Sequence, residues 1–407
     1  MKRGHYEKAL EHIGQSLDRN RNNSRAWVVK AAAYRKLLLF DSALQTVNEA
    51  LKLDRFNLGA LFEKASISKL NSQDDKAKRL TNELLMLSRR DERNLLEYAL
   101  DYAAAGLYEE AGQLLAYAVK ETDTNPMVFY TLGWFSYKAG NHQKAKEWFN
   151  KATIANPYLC FPNRLIEINI LQAAIKMSPA DAKAPYYLGN LFYDKRQYAD
   201  AIKCWEVSVQ QDNAFSTVHR NLGIAYFNKQ NDPQKALNSY EKAFSLDPTD
   251  ARVLMELDQL YKRLNRAPAQ RLKFLEDHLA VTEQRDDTYL ERLSLYNFAG
   301  DYETALDLIE TRKFHPWEGG EGKVSYQYLL SLVQLAKHFI QQNQYEKAIE
   351  YLEKAQTYPH NLGEGKLYGA QENDIDYWMG CAYAGLDKHE TANEYFTKAT
   401  RGLSEPH

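Results

Sequence analysis

The chain has 407 residues with 52 Lys and Arg against 54 Asp and Glu, and a net charge of −2 gives it no general attraction to nucleic acid or anionic lipid. Hydrophobic residues make up an ordinary 44%, and no run approaches the roughly 18 apolar residues needed to cross a bilayer. We therefore expect neither a nucleic-acid partner nor a membrane-spanning segment. Cys160, Cys204 and Cys381 are too few and too scattered for a disulfide framework or a closed zinc site. No apolar run follows Met1, so we expect no secretory signal and a cytoplasmic location.

A short pattern recurs along the chain, in which an alanine follows an aromatic residue or a histidine by three positions. It occurs at Tyr6/Ala9, Phe40/Ala43, Tyr108/Ala111, His142/Ala145, Tyr198/Ala201, Tyr302/Ala305, Tyr345/Ala348 and His389/Ala392. With Ala77, the first five alanines are spaced by 34 residues each time. Segments rich in Ala, Leu, Glu and Lys lie between them and predict helices.

The residues around these alanines resemble the tetratricopeptide repeat (TPR), a unit of two helices joined by a turn. One copy carries Leu132, Gly133, Ala145, Phe149, Ala152 and Pro157, and another carries Leu222, Gly223, Tyr226, Ala236, Tyr240, Ala243 and Pro248. The resemblance implies an all-α fold, a right-handed TPR superhelical solenoid of about ten helix pairs. We expect the pairs to begin near residues 24, 58, 92, 126, 182, 216, 250, 286, 329 and 373.

Two departures from the repeat predict how the chain is divided. Residues 4–17 resemble only the second helix of a repeat, so we expect the chain to start mid-repeat and to be a fragment of a longer multidomain protein. The gap between Ala145 and Ala201 is 56 residues, which leaves room for one extra helix over 162–177. The predicted divisions are an N-terminal arm (1–161), the extra helix (162–181) and a C-terminal arm (182–407).

Two long connections, 313–323 and 358–374, interrupt the C-terminal arm, and both contain Gly-Glu-Gly-Lys. Each follows the second helix of a repeat, so we expect them on the same edge, one repeat apart, where a docking or ligand site is favoured. The candidate docking residues are His315, Trp317, Glu318, Glu321, Glu364, Tyr368 and Glu372. The spacings of a phosphate-binding loop, a zinc site or a nucleophile elbow are absent, so we expect no catalytic residue, metal ligand or cofactor.

The resemblance also implies a second candidate site, because the family lines a peptide groove with fixed positions of the first helices. Here those positions hold Tyr130, Trp134, Tyr137, Tyr186, Asn190, Tyr193, Arg220 and Phe227. Large amphipathic side chains suit an extended peptide, although the same rings are equally suited to packing between repeats. A clamp for chaperone tails is not expected, because Tyr186, Ala251 and Met255 occupy its cation positions.

We therefore expect a non-catalytic interaction scaffold for another protein or another domain of the same polypeptide. An alternative comes from a second resemblance, confined to the last third, to bacterial multidomain proteins in which an uncharacterised carbohydrate-related domain precedes a TPR array. It implies the helical accessory region of a larger carbohydrate-active protein, with the loops contacting its substrate or its catalytic domain. In that case Trp317 or Tyr368 would stack on a sugar ring.

Overall fold

The computed structural model of the chain describes residues 1, 4–120, 122–157, 159–367 and 372–401. These residues form helices and turns, and no β-strand occurs among them. The chain folds into two compact units, Met1–Val218 and His219–His407. Within the described part of the chain, no helix is both long enough and apolar enough to traverse a bilayer.

The N-terminal unit is built from consecutive helices joined by short turns. They are α1 (Tyr6–Arg19), α2 (Ser24–Lys36), α3 (Phe40–Leu53), α4 (Leu58–Leu70), α5 (Asp74–Ser88), α6 (Glu92–Ala104), α7 (Tyr108–Leu115), α8 (Pro126–Lys138), α9 (His142–Ile154), α10 (Leu165–Met177), α11 (Lys183–Asp194) and α12 (Tyr198–Gln211). A short 3₁₀ turn, Ala116–Ala118, extends α7.

The C-terminal unit continues the same alternation. Its helices are α13 (Ser216–Gln230), whose first three residues belong to the N-terminal unit, α14 (Pro233–Leu246), α15 (Ala251–Arg263), α16 (Pro268–Asp277), α17 (Leu279–Thr282), α18 (Asp286–Ala299), α19 (Tyr302–Thr311), α20 (Lys323–Gln341), α21 (Tyr345–Ala355), α22 (Asn373–Gly385) and α23 (His389–Ala399). The predicted helix pairs are confirmed, and all but one begin within one residue of the expected position. The exception is α20, which begins six residues before the expected 329.

Glycines of the first helices let the two helices of a pair approach closely. A Cβ added at Gly133 of α8 would lie 2.4 Å from the ring of Phe149 in α9, and one at Gly189 of α11 would lie 2.5 Å from the Trp205 ring in α12. Ala145 and Ala201, from the recurring pattern, are fully buried in the second helices of the same two pairs. The small residues of the repeat thus mark the helix-crossing points, with aromatic rings filling the space beside them.

The extra helix is present as α10, which ends at the expected residue 177 but begins three residues after the expected 162. It packs against α8 and α11. The Glu167 carboxylate in its first turn accepts the backbone N–H groups of Asn163 and Arg164 at 2.7 Å, which fixes the residues that lead into the helix. The boundary between the compact units falls after Val218 rather than at α10. The assignment of 1–161 and 182–407 as separate arms stays a prediction.

A buried ionic cluster joins three repeats of the N-terminal unit. The Arg35 guanidinium of α2 donates to both oxygens of Glu63 in α4, at 2.7 and 3.1 Å, and the Tyr102 hydroxyl of α6 donates to Glu63 at 2.8 Å. Arg35 and Lys36 also contact Glu110 of α7, at 3.3 and 2.5 Å. Glu63 is fully buried, so these partners offset the cost of removing its charge from water.

Candidate functional site

A cavity of about 360 Å³ opens in the C-terminal unit, along the first helices of two adjacent repeats. We call it the α13–α15 cavity. Its lining residues are Arg220, Ile224, Phe227, Asn228, Tyr240, Arg252, Met255, Glu256, Gln259, Leu260 and Arg263. All but Tyr240 come from α13 and α15, so the walls of the cavity are the two first helices.

Helical spacing explains why these side chains share one face. Residues three, four or seven apart lie on the same side of a helix, which aligns Arg220, Ile224 and Phe227 along α13. The same spacing aligns Arg252, Glu256, Gln259 and Arg263 along α15. The opposite face of α15 carries Leu254, Leu257 and Tyr261, which are buried in the core of the unit.

The Arg220 guanidinium and the Glu256 carboxylate form a bidentate ion pair across the cavity. Arg220 Nε donates to Glu256 Oε2 at 2.7 Å, and Arg220 Nη2 donates to Glu256 Oε1. Burial alone lowers the pKa of Arg220, but the hydrogen bonds and charge of Glu256 raise it above its usual value. Burial, reinforced by the charge of Glu256, also raises the pKa of Tyr240, so its hydroxyl stays protonated.

Two further guanidinium groups enlarge the positive charge of the cavity. Arg252 Nε donates to Glu256 Oε1 at 3.1 Å, so one carboxylate serves two arginines. Arg263 is exposed and lies 5.4 Å from the centre of the Phe227 ring, a cation–π contact. Three guanidinium groups and one carboxylate give the lining a net charge of +2.

Three of the predicted groove residues, Tyr130, Trp134 and Tyr186, are buried. Tyr130 is fully buried, and its hydroxyl donates to Asp181 at 2.8 Å, just after the extra helix. Trp134 and Tyr186 are each 8% exposed. Trp134 packs edge-on against Tyr108, with ring centres 5.7 Å apart. This burial favours packing of the rings within the repeats, and their part in a peptide groove stays a prediction.

The other predicted groove residues of the N-terminal unit are half-buried and engaged with their own helix pair. Asn190 Oδ1 accepts the indole N–H of Trp205 at 3.1 Å. The Tyr193 ring lies 5.4 Å from that of Trp205, and Tyr137 packs against His142 at 5.3 Å. Of the eight predicted groove residues, Arg220 and Phe227 are the two that line the α13–α15 cavity.

The two long loops lie together, as the sequence predicts. The Phe314 N–H donates to the Asn361 carbonyl at 2.7 Å, and the Asn361 side-chain amide donates to the carbonyl of Ile309 at 2.8 Å. Between the loops is a second cavity of about 420 Å³. Its lining includes His315, Trp317, Glu318, Glu321, Glu364, Lys366 and Leu367.

Glu364 has a structural role in this loop cavity. Its two oxygens accept the backbone N–H groups of Gly322 and Ser325, each at 2.7 Å, at the start of α20. The carboxylate therefore caps a helix whose first N–H groups have no partner inside the helix. Its assignment as a docking residue stays a prediction, and in this structure its two oxygens join the two loops.

The remaining loop residues differ in how far they are engaged. His315 Nδ1 lies 3.1 Å from Asp286, and Glu372 pairs with Lys366 at 2.7 Å. Trp317 is half-buried with its ring against Gly320, where an added Cβ would lie 2.3 Å from the indole. Glu318 and Glu321 are exposed and form no ion pair with any described residue. Tyr368 lies outside the described residues.

The loop cavity and the rest of the described chain contain no group of three or more His, Cys, Asp or Glu side chains placed to hold a metal ion. Cys160, Cys204 and Cys381 are free thiols. Burial raises the pKa of Cys160 to about 12 and that of Cys204 to about 11, so neither is an activated nucleophile.

Comparison with known families identifies the repeated unit. Two sequence models described as "Tetratricopeptide repeat" match the chain, one over residues 1–57, 96–159 and 168–212 and the other over 220–250 and 330–359. Together they match more than half of the 407 residues.

Solved structures similar to this chain are themselves repeat proteins. One is YrrB, described as "a TPR protein with an unusual peptide-binding site", at 17% identity over 60% of this chain and 97% of that one, with a TM-score of 0.22. Another is MamA from Desulfovibrio magneticus RS-1, from its residue 41 to the end, at 19% identity over 48% of this chain and 98% of that one, with a TM-score of 0.28. At TM-scores this low, these likenesses carry no conclusion about function.

Proposed function

Because this chain belongs to the tetratricopeptide repeat family, we propose that it is a non-catalytic cytoplasmic scaffold that holds an extended segment of another protein, or of another domain of the same polypeptide, in the α13–α15 cavity. Proteins of this family typically mediate protein–protein interactions. The three free thiols fit a reducing compartment.

The observation that carries the proposal is the combination of volume and lining in the α13–α15 cavity. About 360 Å³ accommodates a few side chains of an extended peptide. Ile224, Phe227 and Met255 offer apolar surface, whereas Arg220 and Arg263 offer donors that fix orientation. Aromatic and arginine side chains are the residue types that contribute most to protein recognition.

The proposal is tested by selecting short random peptides, displayed on phage, against the full chain. A selected peptide is then synthesised, labelled with fluorescein and titrated by fluorescence anisotropy. Phe227→Ala removes a half-buried ring from the cavity wall, and we expect it to weaken binding about tenfold or more.

Phe298 provides the matched control, because it lies in the same unit on α18, is 76% exposed and does not line the cavity. Phe298→Ala is expected to leave the affinity unchanged. Selected peptides that bind wild type and Phe227→Ala equally would refute the α13–α15 cavity as the binding site.

The carbohydrate alternative is tied to the loop cavity, where one face of the Trp317 ring packs against Gly320. It predicts saturable binding of an oligosaccharide on a glycan array that Trp317→Ala abolishes and Phe227→Ala leaves intact. Binding of peptides alone, lost in Phe227→Ala, favours the scaffold.

A further inference from the structure

We infer that the segment held in the α13–α15 cavity is acidic, and that Glu256 competes with its carboxylate for the guanidinium groups of the cavity. The inference rests on the proposed peptide site and specifies the chemistry of its occupant. Glu256 is then an intramolecular competitor, and its carboxylate lowers the affinity of the site for its ligand.

The lining of the cavity has an excess of positive charge. Arg220, Arg252 and Arg263 face a single carboxylate, Glu256. Arg263 is exposed, lies over the Phe227 ring and forms no ion pair with a described residue. The cavity therefore offers a guanidinium group that an incoming carboxylate binds without displacing anything.

The Glu256 carboxylate lies in the guanidinium fork of Arg220. A guanidinium group presents a planar fork of N–H donors that matches a carboxylate. Glu256 occupies that fork on Arg220 through Nε and Nη2, and it also accepts from Arg252. Its carboxylate thus takes the position that a ligand carboxylate would take.

Other occupants fit this lining less well. A basic segment is repelled by the net charge of +2 in the lining. The only carboxylate among the lining residues, Glu256, is already bonded to Arg220 and Arg252. A wholly apolar segment contacts Ile224 and Met255 but covers Arg263 without giving it an acceptor, which costs free energy. A segment with an Asp or Glu beside an apolar residue satisfies both parts of the lining.

The sharpest test is Glu256→Gln, which removes the competing charge and raises the net charge of the cavity from +2 to +3. The probes are acidic peptides with acetylated N-termini and amidated C-termini, so that their only carboxylates are those of side chains. We expect Glu256→Gln to bind such a peptide about tenfold more tightly than wild type. The affinity of Glu256→Gln for the peptide should also fall more steeply with added NaCl than that of wild type.

Two further variants make the result specific. Glu276→Gln is the matched control, because Glu276 pairs with Arg292 at 2.6 Å in the same unit but does not line the cavity, and we expect no change in affinity. Arg263→Gln removes an exposed guanidinium without breaking an ion pair, so the fold should be retained while binding weakens several-fold.

The possible outcomes separate this inference from the function on which it rests. Selected peptides that require Phe227 but are neutral or basic, with an affinity that Glu256→Gln leaves unchanged or weakens, overturn the inference and leave the scaffold proposal standing. Selected peptides that bind wild type and Phe227→Ala with equal affinity overturn both the inference and the scaffold proposal. Tighter binding of the acidic peptide to Glu256→Gln and not to Glu276→Gln is the result we expect.

Discussion

The carboxylate of Glu364 accepts the backbone N–H of Ser325 at 2.7 Å, which ties the second long loop to the first turn of the helix that follows the other loop. The same carboxylate accepts the N–H of Gly322. Glu364 therefore joins two loops that are distant in sequence, in addition to the hydrogen bonds of Asn361.

Glu364→Gln should loosen this connection, because a neutral amide offers one acceptor oxygen in place of two and loses the interaction with the helix dipole. We expect a loss of about 1–2 kcal/mol in the stability of the loop region. Hydrogen exchange followed by mass spectrometry should show faster exchange at Gly322 and Ser325. Glu321→Gln, an exposed change in the same cavity, should leave that exchange unchanged.

Gly133→Ala should destabilise the N-terminal unit, because the new Cβ would lie 2.4 Å from the Phe149 ring and the two helices would have to separate. Overpacking of this kind costs about 1–3 kcal/mol. Gly14→Ala is a matched control within a helix, where an added Cβ meets nothing within 4 Å. It should be neutral or stabilising by up to about 1 kcal/mol. Equal urea-unfolding midpoints for both variants would refute the account of the helix crossing.

Glu63→Ala should be one of the most damaging single changes in the N-terminal unit. It leaves the buried Arg35 guanidinium and the Tyr102 hydroxyl without their common acceptor. Breaking a buried ion pair in this way costs about 3–5 kcal/mol. Glu49→Ala removes the exposed ion pair with Lys52 and should change stability by less than about 1 kcal/mol. Urea unfolding followed by circular dichroism compares the two variants.

Glu110 should make the stability of the same unit depend on pH. Burial alone raises the pKa of Glu110, but Lys36 and Arg35 hold it below its usual value near 4.5. A lowered pKa in the folded state contributes stability above the unfolded value, and that contribution is lost as the pH falls through the folded pKa.

The difference in melting temperature between wild type and Glu110→Gln should therefore be constant near neutral pH and shrink as the pH falls below about 4.5. Glu109→Gln, at the exposed neighbouring position, serves as the control. A difference for Glu110→Gln that does not vary with pH would contradict the proposed role of Lys36 and Arg35.

Much of the fold follows from local sequence. The recurring alanines and glycines mark the helix crossings, and so the starts of helices such as α8 at Pro126 and α18 at Asp286 are predictable. The start of α20 is not, because its first turn is capped by Glu364, a residue that lies about forty positions away and reaches it only in the folded chain.

The site was less predictable than the fold. Family positions alone do not distinguish a ring that lines a groove from one that fills a gap, and the Tyr130 hydroxyl is buried because Asp181 provides its acceptor. Arg252, Glu256 and Arg263 were missed, although their spacing by four and seven residues along α15 places them on one face. These three charged residues lie outside the positions that the family uses to line its groove, so the family pattern does not point to them.

The scaffold proposal is tested most directly by determining where on the chain a selected peptide binds. The chain has six methionines, which give six methyl reporters in a [¹³C-methyl]methionine NMR spectrum. Met255 lines the α13–α15 cavity, whereas Met86 and Met177 lie in the N-terminal unit, and Met255→Leu assigns the Met255 signal. We predict that a saturating selected peptide shifts the Met255 methyl resonance and leaves those of Met86 and Met177 in place. A peptide that binds but shifts Met86 or Met177 while Met255 stays unchanged would contradict the account.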